Sequence, residues 1–134
     1  MRNVLLEKPE YIVLILVASV LFLYGCEQTE QGLAGRSSEE ICKMLKDINV
    51  TDCIDQNEAK TLAEVYSLRF PPSACGGIGQ PVDMRDYWYV PVVIGIAGQP
   101  YGSIKIDKQT AKMSWEHGPT IEDPVKYFCS KYDK

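Results

Sequence analysis

YWYVPVVIGIAGQPYGSIKIDKQTAKMSW, residues 87–115, decides the fold. Three runs of alternating apolar residues, separated by two turn signals, predict an antiparallel meander. Side chains alternate along a strand, so Trp88, Val90, Val92, Ile94 and Ile96 point one way, while Tyr87, Tyr89, Pro91, Val93 and Gly95 point the other. The first set is the larger and more apolar and is assigned to the core. Gly98, Gln99 and Pro100 are expected to turn the chain, and Ile104 and Ile106 to continue the inner face. Asp107, Lys108, Gln109 and Thr110 turn it again, and Met113 and Trp115 close the third strand. No catalytic motif sits on this sheet.

Working back from the sheet, Asp83, Arg85 and Asp86 form a mixed polar entry to it, and residues 71–82 are a loop rich in proline and glycine. Gly76, Gly77, Ile78 and Gly79 do not make a phosphate cradle. That would need a preceding strand, a following helix and a suitably placed Lys or Ser/Thr. Before the loop, Ala59, Leu62, Ala63 and Tyr66 recur at helical spacing. This predicts a helix that starts at Asp55 or Asn57 and stops at Pro71 and Pro72. Ser37 and Glu40 match a capping box, followed by Ile41, Met44, Leu45 and Ile48 on one face of an earlier helix. After the sheet, Asp123 and Pro124 make an N-cap and first helical residue, with Val125, Phe128, Cys129 and Tyr132 on the buried side. The order helix, helix, meander, helix predicts an α+β domain over residues 37–134, with short amphipathic helices packed on one face of an antiparallel sheet of three or more strands.

The first residues belong to targeting. Residues 11–24 are fourteen uncharged residues, about 21 Å as a helix and short of the ~30 Å hydrocarbon core of a bilayer. They suit the apolar region of a signal peptide. Leu23, Tyr24, Gly25 and Cys26 resemble the lipobox of bacterial lipoproteins, although Tyr24 stands where a smaller residue is usual. The resemblance implies that Cys26 is lipidated and becomes the mature N-terminus, so that residues 1–26 are the signal. An uncleaved N-terminal anchor is the alternative, and either way the domain is exported and tethered. Residues 27–36 are polar, contain two glycines and read as a flexible tether. Glu27 follows the cysteine, so the aspartate that commonly retains lipoproteins at the inner membrane is absent, which leans towards the outer membrane.

With Cys26 set aside, Cys42, Cys53, Cys75 and Cys129 are an even number of cysteines in an oxidising compartment, and disulfides are expected. Three pairings are open; one joins Cys42 to Cys53 and Cys75 to Cys129. No C-x-x-C spacing and a single histidine argue against a metal site. That histidine, His117, lacks the Ser/His/Asp or Cys/His company that general-base chemistry needs. Net charge is −4, and no basic face points to nucleic acid. The acidic balance suits a basic protein partner instead.

Residues 57–115 resemble two groups of small bacterial domains. One is the PepSY-like module, whose hairpin ends in a motif like that of residues 106–113, IDKQTAKM. The other is a set of immunity proteins of polymorphic-toxin systems, nuclear-transport-factor-like ones among them, matched here by Trp88, Val90, Gly102, Ile104, Ile106, Asp107, Lys108 and Thr110. Both groups usually place glycine where this chain has Ala111, which implies a different turn or modest strain there. The resemblance implies a tethered periplasmic binding protein, not an enzyme and without a cofactor, that neutralises a toxin or an envelope-acting enzyme. The alternative is an accessory lipoprotein that modulates a protease or binds an envelope ligand. Outward Tyr87, Tyr89 and Tyr101, with acidic Asp83, Asp86 and Glu116, are the expected contacts.

Overall fold

Capping chemistry places the first two helices. In the computed structural model, which describes residues 35–72 and 75–130, helix α1 (Ser38–Lys46) begins where the Ser37 hydroxyl accepts from the Glu40 N–H at 3.2 Å and Glu40 accepts from the Ser37 N–H at 3.0 Å. Cys26, the signal segment, the tether before Gly35 and Tyr132 lie outside the described residues. A single 3-10 turn (Val50–Asp52) leads to helix α2 (Gln56–Arg69), where Asp55 and Glu58 repeat the capping box. Glu58 also accepts from the Asn49 N–H at 3.1 Å, tying the connection to the helix it starts. α2 stops at Phe70, directly before the two prolines.

The sheet contains five strands: β1 (Gly77–Ile78), β2 (Val82–Asp83), β3 (Tyr87–Ile94), β4 (Gln99–Asp107) and β5 (Met113–Ser114). β3 is central, with β4 along one side and β1 and β2 sharing the other, all antiparallel. Helix α3 (Pro124–Cys129) follows, started by Asp123 and Pro124 as the sequence predicts. The fold is α+β.

Two strands come from the stretch expected to be only a loop. Each is two residues long, too short to show alternation, and Gly79 bridges them by donating to the Pro91 carbonyl at 2.7 Å. The β3–β4 turn also differs from expectation. It spans residues 95–98, and Gln99 already pairs with Ile94. Ile96 therefore lies on the turn, 79% exposed, rather than on the inner face.

Trp88, Val90, Val92, Ile104, Ile106 and Met113 do form the inner face, packed with Leu45, Leu62, Tyr66 and Ile121. Two hydrogen bonds fix how α2 lies along it. Trp88 Nε1 donates to the Ile54 carbonyl, and the Ile54 N–H donates to the Lys108 carbonyl, both at 2.7 Å. The start of α2 is thereby pinned to the Asp107 end of the sheet. Farther along α2, the Tyr66 hydroxyl donates to the Pro119 carbonyl at 2.6 Å, and its ring meets Trp115 edge-on at 6.2 Å. Burial of that phenol raises its pKa, with the nearby Tyr127 adding to the shift.

α1 carries Cys42 and Leu45 as its most buried residues, with Ile41, Met44 and Ile48 partly buried beside them. Cys42 is disulfide-bonded to Cys129 of α3, with Cα atoms 5.3 Å apart, and Cys75 is also in a disulfide. Cys53 is not. It leaves the 3-10 turn at φ 69° with an exposed free thiol, whereas Cys42 faces the core and α3. None of the three expected pairings of Cys42, Cys53, Cys75 and Cys129 therefore holds: each needs Cys53 bonded, and the partner of Cys75 is none of the other three.

At the β4–β5 turn the Asp107 carboxylate accepts from the N–H groups of Gln109 and Thr110 at 2.8 and 2.9 Å. Ala111 then takes φ 60°, the left-handed conformation that glycine fills more readily. Of the two outcomes expected there, strain is the one realised. It costs about 1–2 kcal/mol, partly offset by a buried methyl worth roughly 0.8 kcal/mol. Burial works to raise the Asp107 pKa, but the hydrogen bonds from Thr110 and Gln109 and the charge of Lys105 outweigh it, and the net shift is downward. A folded pKa below the unfolded one means that this stabilisation is complete above about pH 4 and is lost as pH falls through the folded value. Asp107→Asn keeps the turn's acceptor but not its charge. Urea midpoints measured from neutral pH downward are expected to fall less steeply for this variant than for the wild type; parallel curves would refute the assignment.

Candidate interaction surface

Register sorts the expected contact residues. Tyr87 pairs with Asp107, and Tyr89 with Lys105 on one side and Val82 on the other, so these side chains share the outer face of β3. Lys105 places its ammonium 4.2 Å from the Tyr87 ring centroid, a cation–π contact that holds this ring half-buried. Tyr89 stays 39% exposed and Val82 48%, with Met84 at 44% in the turn that follows β2. Val82 and Met84 were not singled out from sequence. One is half of a two-residue strand and the other stands alone among polar residues, so neither gives a periodic signal.

Tyr101 does not belong to this face. Pro91 pairs with Ser103 but Val93 pairs with Pro100, so Val92 stands opposite two residues, Tyr101 and Gly102. The extra residue is a β-bulge with Gly102 at φ 74°. It shifts the alternation by one and turns Tyr101 towards the core side, its ring 5.9 Å from Trp115 and stacked on His117 at 4.0 Å. The simple alternation used to place Tyr101 outward fails at the bulge.

Glu116 likewise has a local task. Its carboxylate accepts from the Ser103 N–H at 3.1 Å, while Trp115 Nε1 donates to the Tyr101 carbonyl at 3.3 Å. β5 covers β4 only at Lys105 and Ile106. The two side chains therefore close the stretch of edge that β5 leaves open. His117, stacked on Tyr101 and edge-on to Trp115, is exposed and belongs to the same closure.

Asp83 pairs with Trp88, so its side chain lies on the Trp88 side of the sheet and not with Tyr89. Lys108 reaches 2.6 Å to Asp83 while its ammonium lies 4.6 Å from the Trp88 ring centroid. That hydrogen bond, with another from the Arg85 N–H, lowers the Asp83 pKa. Arg85 at φ 73° makes the β2–β3 turn tight enough for Met84 N–H to reach the Tyr87 carbonyl at 3.0 Å. Asp86 is exposed, and its carbonyl accepts from the Lys108 N–H at 3.1 Å. The result is an outer face on which Val82, Tyr89 and Lys105 lie side by side, with Met84 exposed in the adjoining turn.

Among the described residues no helix is long and apolar enough to cross a membrane, and no group of three or more His, Cys, Asp or Glu is placed to hold a metal. Comparison with protein-family models, curated proteins and solved structures finds no match.

Proposed function

We propose that this chain is a membrane-tethered protein of the bacterial envelope that binds another protein through the face centred on Tyr89, as an immunity or inhibitor protein acting on a toxin or envelope enzyme. The observation that carries this reading is the exposed cross-strand pair of Val82 on β2 and Tyr89 on the central strand β3. A tyrosine held on a rigid strand loses little entropy on binding and buries a large surface, and Lys105 beside it supplies a charge for orientation. Exposed Asp83 and Asp86, in the β2–β3 segment that adjoins this face, suit a basic partner.

The test is recovery of partners by the full chain, tagged at its C-terminus, from envelope extracts supplemented with products of neighbouring genes. A single basic secreted protein recovered near stoichiometrically, whose activity the chain suppresses, is the expected result. Tyr89→Asp is expected to weaken that complex by about 2 kcal/mol or more, roughly 30-fold in Kd. Reversal of Asp83 and Asp86 to lysine should slow association. Recovery of a resident protease whose activity is modulated would instead favour the accessory-lipoprotein reading. Unchanged binding by Tyr89→Asp would remove this face from the interaction.

A further inference from the structure

Resting on the envelope reading above, we propose that Asn49 is an acceptor site for N-linked glycosylation, taking an oligosaccharide from a lipid pyrophosphate donor. Residues 47–51, DINVT, contain asparagine, a residue other than proline, and threonine in the order that marks such a site in an exported protein. Asp47 stands two positions before the asparagine, the place of the acid that bacterial acceptor sites carry. The other two asparagines of the chain, Asn3 and Asn57, lack a serine or threonine two places on.

The fold presents this stretch to solvent. α1 ends at Lys46, and Asp47, Asn49, Val50 and Thr51 are all exposed on the way into the 3-10 turn that Asn49 caps. Asn49 Oδ1 accepts from the Thr51 N–H at 3.1 Å and from the Thr51 hydroxyl at 2.6 Å. A backbone N–H can only donate, so the atom that meets Thr51 is the carboxamide oxygen, and Nδ2 is turned away from the turn. Nδ2, the atom that would carry the sugar, makes no hydrogen bond among the described residues. Meanwhile the Asn49 N–H donates to the Glu58 carboxylate at 3.1 Å, which holds the main chain of the site to the start of α2.

Asp47 has no task in the packing. Its side chain is exposed, and a negative charge at the C-terminal end of α1 is unfavourable to the helix. Recognition of the acceptor gives that carboxylate a use. Glu58 belongs to α2, whose Leu62 and Tyr66 pack with Trp88 on the inner face of the sheet. A glycan on Asn49 therefore grows from the helix side and leaves the Tyr89 face open to a partner.

In the transfer, Nδ2 attacks the anomeric carbon of the donor sugar. The N–C bond forms as the C–O bond to the lipid pyrophosphate breaks. The pyrophosphate departs with the bonding electron pair, and one of the two amide protons is lost. Nothing is oxidised or reduced, and the catalyst is an oligosaccharyltransferase of the envelope.

The test produces the full chain in bacteria that carry such a transferase, a lipid-linked oligosaccharide of known mass and a control acceptor protein. Intact-protein and peptide mass spectrometry of the envelope fraction should show one added oligosaccharide, on Asn49. Asn49→Gln and Thr51→Val are expected to abolish it, Thr51→Ser to keep it, and Asp47→Ala to lower it several-fold. The Cys42–Cys129 disulfide, read in the same spectra, reports export, because it closes in an oxidising compartment. A chain that is oxidised yet unmodified beside a glycosylated control overturns the site and leaves the envelope reading standing. A chain with both thiols reduced has not been exported and overturns both. Sugar that persists in Asn49→Gln lies elsewhere and refutes the assignment.

Discussion

Cys129→Ala is expected to destabilise the domain by about 4–5 kcal/mol, the chain-entropy value for a very long closed loop. The bond joins residues 87 apart in sequence, from α1 to α3, and encloses the entire sheet. Both cysteines are buried, Cys129 completely and Cys42 to 4% exposure, so the packing of α3 on α1 depends on the same contact. A domain of this size commands only about 5–15 kcal/mol in total, so the loss takes a large share. Thermal unfolding followed by circular dichroism should show a midpoint lower by some tens of degrees, and reduction of the wild type, which also opens the Cys75 disulfide, should lower it at least as far. Cys53→Ala, on an exposed free thiol, is the control and should leave the midpoint unchanged. A Cys129→Ala midpoint within a few degrees of the wild type would show that helix packing alone holds the two ends of the domain together.

Gly102→Ala is the second large expected loss, about 2–4 kcal/mol, and it has two separable parts. Left-handed backbone at φ 74° costs a side chain about 1–2 kcal/mol. The remainder is collision: a Cβ at this position would run into the Glu116 carboxylate and stand 3.2 Å from Trp115 Nε1. Relief of the collision displaces the acceptor of the Ser103 N–H and reopens the edge of β4. Glu116→Ala alone should cost about 1–2 kcal/mol through that unmet N–H. The double variant should lose less than the sum of the two, because the carboxylate that collides is already gone. Urea denaturation of the four proteins reads this directly. Strict additivity would mean that Glu116 and the bulge act independently.

Where the physics is local, the chain discloses its fold. Ser37 with Glu40, Asp55 with Glu58, and Asp123 with Pro124 start helices because the capping partners lie within one turn of each other. Trp88, Val90, Ile104, Ile106 and Met113 are buried as their alternation requires. Long-range geometry is not written in that way. β1 and β2 exist only because β3 offers an edge to pair with, and two residues carry no period. The bulge at Gly102 reverses the phase of a strand whose sequence alternates smoothly, which misplaces Tyr101 and conceals the task of Glu116. Of the six expected contact residues, Tyr87 and Tyr89 share the outer face of β3, whereas Asp83 pairs with Trp88 on the other side. Val82, which adjoins Tyr89 on that outer face, and Met84 in the next turn are recognisable only by their exposure once the turn at Arg85 has folded.

The bond between α1 and α3 also has a mechanical meaning. Tension applied at Ser37 meets Cys42 within five residues. The capping bonds of α1 can peel, but at Cys42 the load passes through a covalent link to α3. From there it runs along the short segment back to Ile121, whose two hydrogen bonds with Met113 anchor it to the sheet. Unzipping from that side is arrested before it reaches α2, Trp88 or the tyrosine face. Load on α1 and the shape of the outer sheet face are thereby decoupled.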